Sequence, residues 1–443
     1  MDKRLRAASI LLILASPAAA QEAMDHAAMD HGAMDHAAMD HGAMDHAAMD
    51  HGAMDMSMPG MDHGAMSMNG QGSGSSRLPR NEPMAGVHLV SNADDMVMVA
   101  GYVWPIYTNQ SGPRGDDKFY AQSAAMVMWM HDFGGAQLTA SAMLSAEPTM
   151  RHDGYPILFG SGEVGYGQPL VDRQHPHDLF MELAAKLNVP IAPGISAFVY
   201  GGPVGEPALG PSAFMHRASA RYNPEAPITH HWFDSTHITY GVMTAGLAGK
   251  AWQLEASAFR GREPDEHRWA IEAPKLDSWS VRASFAPSPA WLVQASYGTL
   301  KQPEATHPDE DERRFTASAH FNNGKGLSAT AGFSAKRRIP GETRTAWLGE
   351  ANWNITRHHT LFGRIENVAN DELFPDEDDP LHDQPFRVTK FQAGYAYRLA
   401  LKGPVQVALG GSVALFAKPA ALDSAYGKNP IGTTIFARFS IGP

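Results

Sequence analysis

From about Asp94 onward the chain alternates apolar and polar residues with a period of two. Ser278, Ser280, Arg282 and Ser284 alternate with Trp279, Val281, Ala283 and Phe285. Thr316, Ser318, His320 and Asn322 alternate with Phe315, Ala317, Ala319 and Phe321, and Lys390, Gln392 and Arg398 lie opposite Thr389, Phe391, Ala393, Tyr395 and Tyr397. Successive side chains of a strand point to opposite faces, so each run predicts a strand with one apolar and one polar face. About sixteen such segments can be drawn, at 94–104, 119–131, 134–146, 178–189, 194–202, 236–248, 251–260, 277–286, 290–299, 312–322, 326–336, 344–354, 358–367, 386–399, 404–416 and 431–440.

The connections alternate in length. Short ones include Phe133-Gly134, Pro287-Ser288-Pro289 and Ile355-Thr356; long ones fall at 105–118, 148–177, 203–235, 261–276, 300–311, 337–343, 368–385 and 417–430. Short turns at one end and long loops at the other are the pattern of a transmembrane outer-membrane barrel. The segments have roughly the ten residues that a tilted spanning strand needs. The reading is therefore all-β: an outer-membrane β-barrel of about sixteen antiparallel strands over residues 84–443, in a Gram-negative bacterium, with both termini in the periplasm. Trp104, Trp129, Trp252, Trp279, Trp291, Trp347, Trp353 and Phe439 lie near strand ends and are candidates for interfacial girdles. A soluble sandwich or propeller would also alternate. Faces of Ala, Val, Leu and aromatics set against faces of Ser, Thr, Gln, Asn and charge favour the barrel.

Two segments precede it. Residues 1–20 carry Lys3, Arg4 and Arg6, an apolar stretch from Ala7 to Ala15, and Ala18-Ala19-Ala20 before Gln21. That is the form of a secretory signal peptide. Residues 21–83 read as a disordered tail and Gly/Ser linker. Ala23–Gly52 is the unit AMDHAAMDHG repeated three times. Five residues advance about 140° on a helix, so the methionines sweep round every face and no apolar stripe forms. The tail supplies Met24, Met29, Met34, Met39, Met44, Met49, Met54, Met56, Met58, Met61, Met66 and Met68, with His26, His31, His36, His41, His46, His51 and His63. Nine acids accompany them, and no Lys or Arg falls between residue 21 and Arg77. Thioethers suit Cu(I), while imidazole and carboxylate suit Cu(II) and other borderline ions. The expected ligand is copper in either oxidation state, with silver, nickel and zinc as competitors.

Composition narrows the rest. The chain has no cysteine, which removes thiolate metal sites and disulfides. Its net charge of −12 gives no basic surface for nucleic acid. No G-x-S-x-G elbow, H-E-x-x-H pair or phosphate-binding glycine loop is present, so catalysis is disfavoured and no organic cofactor is expected. A hydrolase assembled from dispersed Ser, His and Asp is the least favoured reading.

The Met-Asp-His-Gly tail joined to a barrel resembles the outer-membrane copper-resistance protein B family (CopB/PcoB). The resemblance is carried by the composition of residues 23–68 and by architecture, not by motifs in the barrel. It implies copper tolerance at the outer membrane, and with it periplasmic copper carriers or oxidases as partners.

Parity then assigns faces within the barrel. Met96, Met98, Met126, Met128 and Met130 lie opposite Val97, Val99, Val127 and Trp129, and so face the lumen towards the periplasmic end; Met143 shares the parity of Gln137, Thr139 and Ser141. They form a candidate Cu(I) ladder. His175 and His177, with His230, His231 and His237, are a second candidate metal set, alongside Glu263, Asp265, Glu266 and His267. The competing reading has Arg173, Arg217, Arg221, Arg260 and Arg262 pairing with those acids, as a network that folds the long loops into the lumen. His358-His359 reads as a solvated turn. Two functions follow: a copper-binding barrel giving resistance by sequestration or export, and a general porin whose tail buffers metal.

Overall fold

The computed structural model describes residues 69–442. Seventeen strands form one closed antiparallel sheet. In chain order they are β1 (Val87–Ser91), β2 (Asp95–Gln110), β3 (Asp117–Asp132), β4 (Gln137–Leu144), β5 (Phe180–Ala192), β6 (Ile195–Gly205), β7 (Thr239–Gly249), β8 (Trp252–Phe259), β9 (Ser278–Ser288), β10 (Trp291–Leu300), β11 (Asp311–Asn322), β12 (Leu327–Ile339), β13 (Thr343–Asn354), β14 (His359–Asn370), β15 (Phe386–Arg398), β16 (Val405–Ala417) and β17 (Ile431–Ile441). Strands β2 to β17 pair neighbour to neighbour, and β17 returns to β2 from Gly101↔Ile441 to Gln110↔Gly432, which closes the ring. These are the sixteen segments that the alternation predicts.

The extra strand, β1, lies ahead of the alternating segments. The β2–β17 ladder ends at Gly101, and β1 takes up the remaining edge of β2 with Val87↔Val99 and Ser91↔Met96. An edge left open there would expose a row of unpaired backbone groups.

Alternation sets the two faces. On β9, Ser278, Ser280, Arg282 and Ser284 are buried, while Trp279, Val281, Ala283 and Phe285 are exposed. Leu254, Trp347, Ile365, Phe391, Val413 and Ile435 continue the exposed apolar belt. A polar interior inside an apolar exterior inverts the order of a soluble protein and matches a wall facing lipid. Trp129, Trp279, Trp291, Trp347, Trp353 and Phe439 are on this outer face. Trp104 corrects the girdle expectation: it points inward and meets Phe436 edge-on at 5.3 Å. The bulky ring lies one residue from Pro105 on the inward parity of β2, shared with Ile106.

Sixteen strands alone leave an aqueous channel. Here two long connections fill it. The 145–179 segment brings in Ile157, Leu158 and Phe159, and the 206–238 segment brings in Ile228, Trp232 and Phe233. They pack on the inward side chains Ala346, Leu348, Val368 and Val388 and on Leu422 and Tyr426, as one apolar core inside the barrel. Buried ion pairs tie this filling to the wall. Arg217 Nε lies 2.7 Å from Glu350 and Lys390 Nζ lies 2.7 Å from Glu225, and Arg364 Nη1 donates to the Glu225 carbonyl at 2.8 Å.

The linker boundary at residue 83 also needs correction. Residues 70–82 form a hairpin held by Gly72 N→Ser76 O at 3.0 Å and Gly70 N→Glu82 O at 2.9 Å. Ser75 Oγ donates to Glu255 at 2.5 Å, and Ser73 N donates to Ser212 Oγ at 2.9 Å. Arg77 reaches the carbonyls of Gly249 and Trp252 at the β7–β8 turn, on the short-turn side. Glycine lets the tip approach closely: a Cβ on Gly74, at φ +57°, would meet Glu206 at 2.9 Å. A Gly/Ser composition predicts flexibility, but these small hydroxyls satisfy polar groups of the lumen wall.

Candidate functional site

The tail ligands from Met24 to Met68, and their copper assignment, lie outside the described residues. The barrel candidates are all described, and they form two adjoining groups.

The first group follows from strand register. Met96 lies opposite Met130 and Met98 opposite Met128 across β2–β3, and Met126 lies opposite Met143 across β3–β4. Directly opposed side chains on one face are neighbours, so each pairing brings two thioethers together. All six face inward, while Val127 and Trp129 are exposed. Met84, from the segment leading into β1, packs on the same cluster. Met126 also belongs to a second cluster with Met143, Met181 and Met215, so nine methionines form one continuous array. It begins beside the short turns at residues 92–94 and 133–136, at the short-turn rim of the barrel.

The second group is a nest of five buried histidines. His230 lies 5.1 Å from His237 and 5.3 Å from His231, between ring centres. His177 lies 5.4 Å from His237, and His175 lies 6.0 Å from His230 and 6.2 Å from His231. A short helical turn, His230–Phe233, sets two of the rings, and the 175–178 segment sets two more. Oxygen atoms orient most of them. His177 Nδ1 donates to Glu147 at 2.8 Å, His230 Nδ1 to Asp234 at 2.8 Å, and His237 Nδ1 to the Asp234 carbonyl at 2.7 Å. Donation through Nδ1 leaves the Nε2 lone pair free, which is how a ligating imidazole is held. His237 Nε2 is buried without a hydrogen-bond partner, as are Glu147 Oε1 and Glu263 Oε1.

His175 makes the sharpest case. Its Nδ1 faces the Pro176 carbonyl at 3.1 Å, so it carries the proton and Nε2 does not. Nε2 then faces Glu163 Oε1 at 3.1 Å without hydrogen-bond geometry. A lone pair opposed to a carboxylate calls for a proton or a cation between them. Glu163, His175 and His231 offer ligand atoms all within 4.8 Å of one another. Burial, then Arg268 and the neighbouring histidines, push His175 well below its ordinary range, so it stays neutral. Burial, then the other histidines, hold His237 low as well. Burial raises Glu163, against the pull of Arg268. Burial opposes charge on His231 too, but the Glu263 carboxylate overrides it and lifts the imidazole to about 9. Neutral His175 and His237 thus stand close to a cationic His231.

The arginine network of the sequence reading is present only in part: Arg217 bridges Asp234 and Glu350, Arg260 and Arg173 pair instead with Glu272 and Asp153, and among the described residues Arg221 and Arg262 form no ion pair. Arg268, unmarked by any sequence pattern, joins Asp178 at 3.1 Å to Glu163 at 3.2 Å. His358 and His359 sit on the short turn and bond to the Arg398 carbonyl and to Tyr395 Oη.

The groups meet. One cavity, of about 130 Å³, is lined by Met84, Met126, Met143 and Met215 and by His177. A smaller one, of about 20 Å³, touches Met143, Met181, Met215 and His237. Thioethers thus run from the rim to the imidazoles with cavity between them.

The fold is that of outer-membrane porins. OmpF of Salmonella typhi, solved with daunomycin, matches at 10% identity over 80% of this chain and all of that one, with a TM-score of 0.50. OprB of Pseudomonas putida (11% identity, 79% of this chain and 94% of that one, TM-score 0.49) and the outer-membrane channel DcaP of Acinetobacter baumannii (12%, 81% and 100%, TM-score 0.47) are similar. The likeness is one of architecture. No family model and no curated relative matches the chain.

Proposed function

We propose that this barrel sits in the outer membrane of a Gram-negative bacterium and handles copper ions as cargo, contributing to copper resistance by sequestration, export or both. The carrying observation is the array of nine methionines and the two cavities that set its members beside His177 and His237. Thioethers receive Cu(I) and exchange it readily; neutral imidazoles accept either oxidation state. Methionine on three consecutive inward strand faces packs as Leu or Val would and adds a soft donor that they lack. The tail, rich in the same ligands, would load or unload the array at the periplasmic rim, in exchange with periplasmic copper carriers or oxidases.

A general solute channel with a metal-buffering tail is the second reading, and the porin architecture supports it. The filled lumen weighs against it. Single-channel conductance of the purified protein separates the two. A general channel conducts small ions steadily, with or without copper. The copper reading predicts a closed state, and Cu(I) binding that survives removal of residues 22–68.

A further inference from the structure

The cavity of about 130 Å³ has a second wall that copper chemistry leaves unused. There Arg438 of β17 lies over three rings, its guanidinium carbon 5.4 Å from the centre of Tyr102, 5.3 Å from Trp104 and 5.7 Å from Tyr222. Nη1 donates to Ser440 Oγ at 3.0 Å, and the buried Nε has no partner. Arg221 lines the same cavity. Among the described residues, neither guanidinium forms an ion pair with a carboxylate. Arg217, close by, is matched by Asp234 and Glu350. Glu82, also on the wall, is occupied by the Ala218 amide at 2.7 Å and by Asn322. The indole Nε1 of Trp104 is a third buried donor without an acceptor.

Donors for an anion therefore gather around the cavity, and Arg438 and Arg221 outnumber its one lining carboxylate, Glu82. Burying such groups without acceptors is unfavourable, and ring faces offset it only in part. The same lining also supplies apolar and soft side chains: Phe214, Met126, Met143 and Met215. Thioethers make favourable contacts with aromatic ring edges. A cavity of roughly 150 Å³ admits benzene, so this one, of about 130 Å³, takes no more than a single ring with its anionic group drawn between the guanidiniums.

We propose that this cavity binds a small organic carboxylate carrying an apolar ring, about the size of benzoate. The carboxylate lies between Arg438 and Arg221, and the ring lies against Phe214 and the methionines. This is a pocket with an apolar body and a few convergent polar anchors. It does not depend on the copper reading.

The test is equilibrium dialysis of the full chain, in detergent, with labelled benzoate. The expected result is one saturable site per chain. Benzamide has the same shape without the charge and should bind at least about tenfold more weakly, because charge-assisted hydrogen bonds to a guanidinium are lost. Arg438→Gln and Arg221→Gln should each weaken benzoate by a similar factor while heat-modifiable migration stays unchanged. Should Arg438→Gln fail to fold, Arg221→Gln and the benzoate–benzamide comparison on the unaltered chain decide the matter. Absence of saturable benzoate binding at millimolar concentration overturns the proposal, as does equal binding of benzamide. Phosphate displacing benzoate at equal concentration would reduce the site to a simple anion pocket and overturn the assignment of the ring.

Discussion

At the scale of single residues, the inward array depends on parity. Because the side-chain period is two, a slip of one residue would expose every methionine of β2 and β3 to lipid. Cysteines placed at Met96, Met98, Met128 and Met130 should therefore react with a water-soluble thiol reagent only slowly, since those sites are buried, and faster once the 70–82 hairpin is removed. Cysteines at Val97 and Val127 should react with a lipid-partitioning reagent instead. The chain has no cysteine of its own, so the background is clean. The opposite pattern would mean the register is wrong. Arg217 gives a stability prediction at the same scale. It is fully buried between Asp234 and Glu350. Its replacement by Ala leaves the buried Asp234 carboxylate without its guanidinium, while Glu350 keeps Arg364, a loss of about 3–5 kcal/mol for a broken buried pair. Faster amide exchange across residues 206–238, with the strands still protected, is the expected readout.

At the scale of elements, period two was enough to read all sixteen wall strands and the inward faces of Met96, Met98, Met126, Met128 and Met130, because lipid outside and polar filling inside enforce alternation. The segments without periodicity were opaque. Residues 70–82 have a linker's composition, and only their contacts with Ser212, Glu255 and the β7–β8 turn make them a closing hairpin. Met215 and Arg268 lie in connections, where spacing carries no orientation. Met84 lies just ahead of a short strand whose need arises from the early end of the β2–β17 ladder. The five histidines were visible as residues, but Glu147, which orients His177, lies thirty positions away in sequence. The hairpin carries its own prediction. Deleting residues 69–83 removes its contacts with Glu255, Ser212 and the β7–β8 turn, and single-channel conductance should rise without loss of strand content by circular dichroism. Unchanged conductance would show that the two lumen segments close the barrel by themselves.

At the scale of the whole molecule, barrel and tail are proposed as two copper-binding parts of one path. Leu in place of the tail methionines should weaken Cu(I) binding far more than Cu(II), since Leu keeps the bulk and lacks the soft donor. Exchanging the tail histidines should do the reverse, and titration in each oxidation state reads both. The central claim is that the barrel holds copper through its own methionines. X-ray absorption of the chain lacking residues 22–68, loaded with one equivalent of Cu(I), tests it most directly. Sulfur ligands around the ion are the expected result, lost when Met96, Met98, Met126, Met128, Met130 and Met143 are changed to Leu. Failure to retain Cu(I), or a nitrogen and oxygen shell unaltered by those six changes, would contradict it.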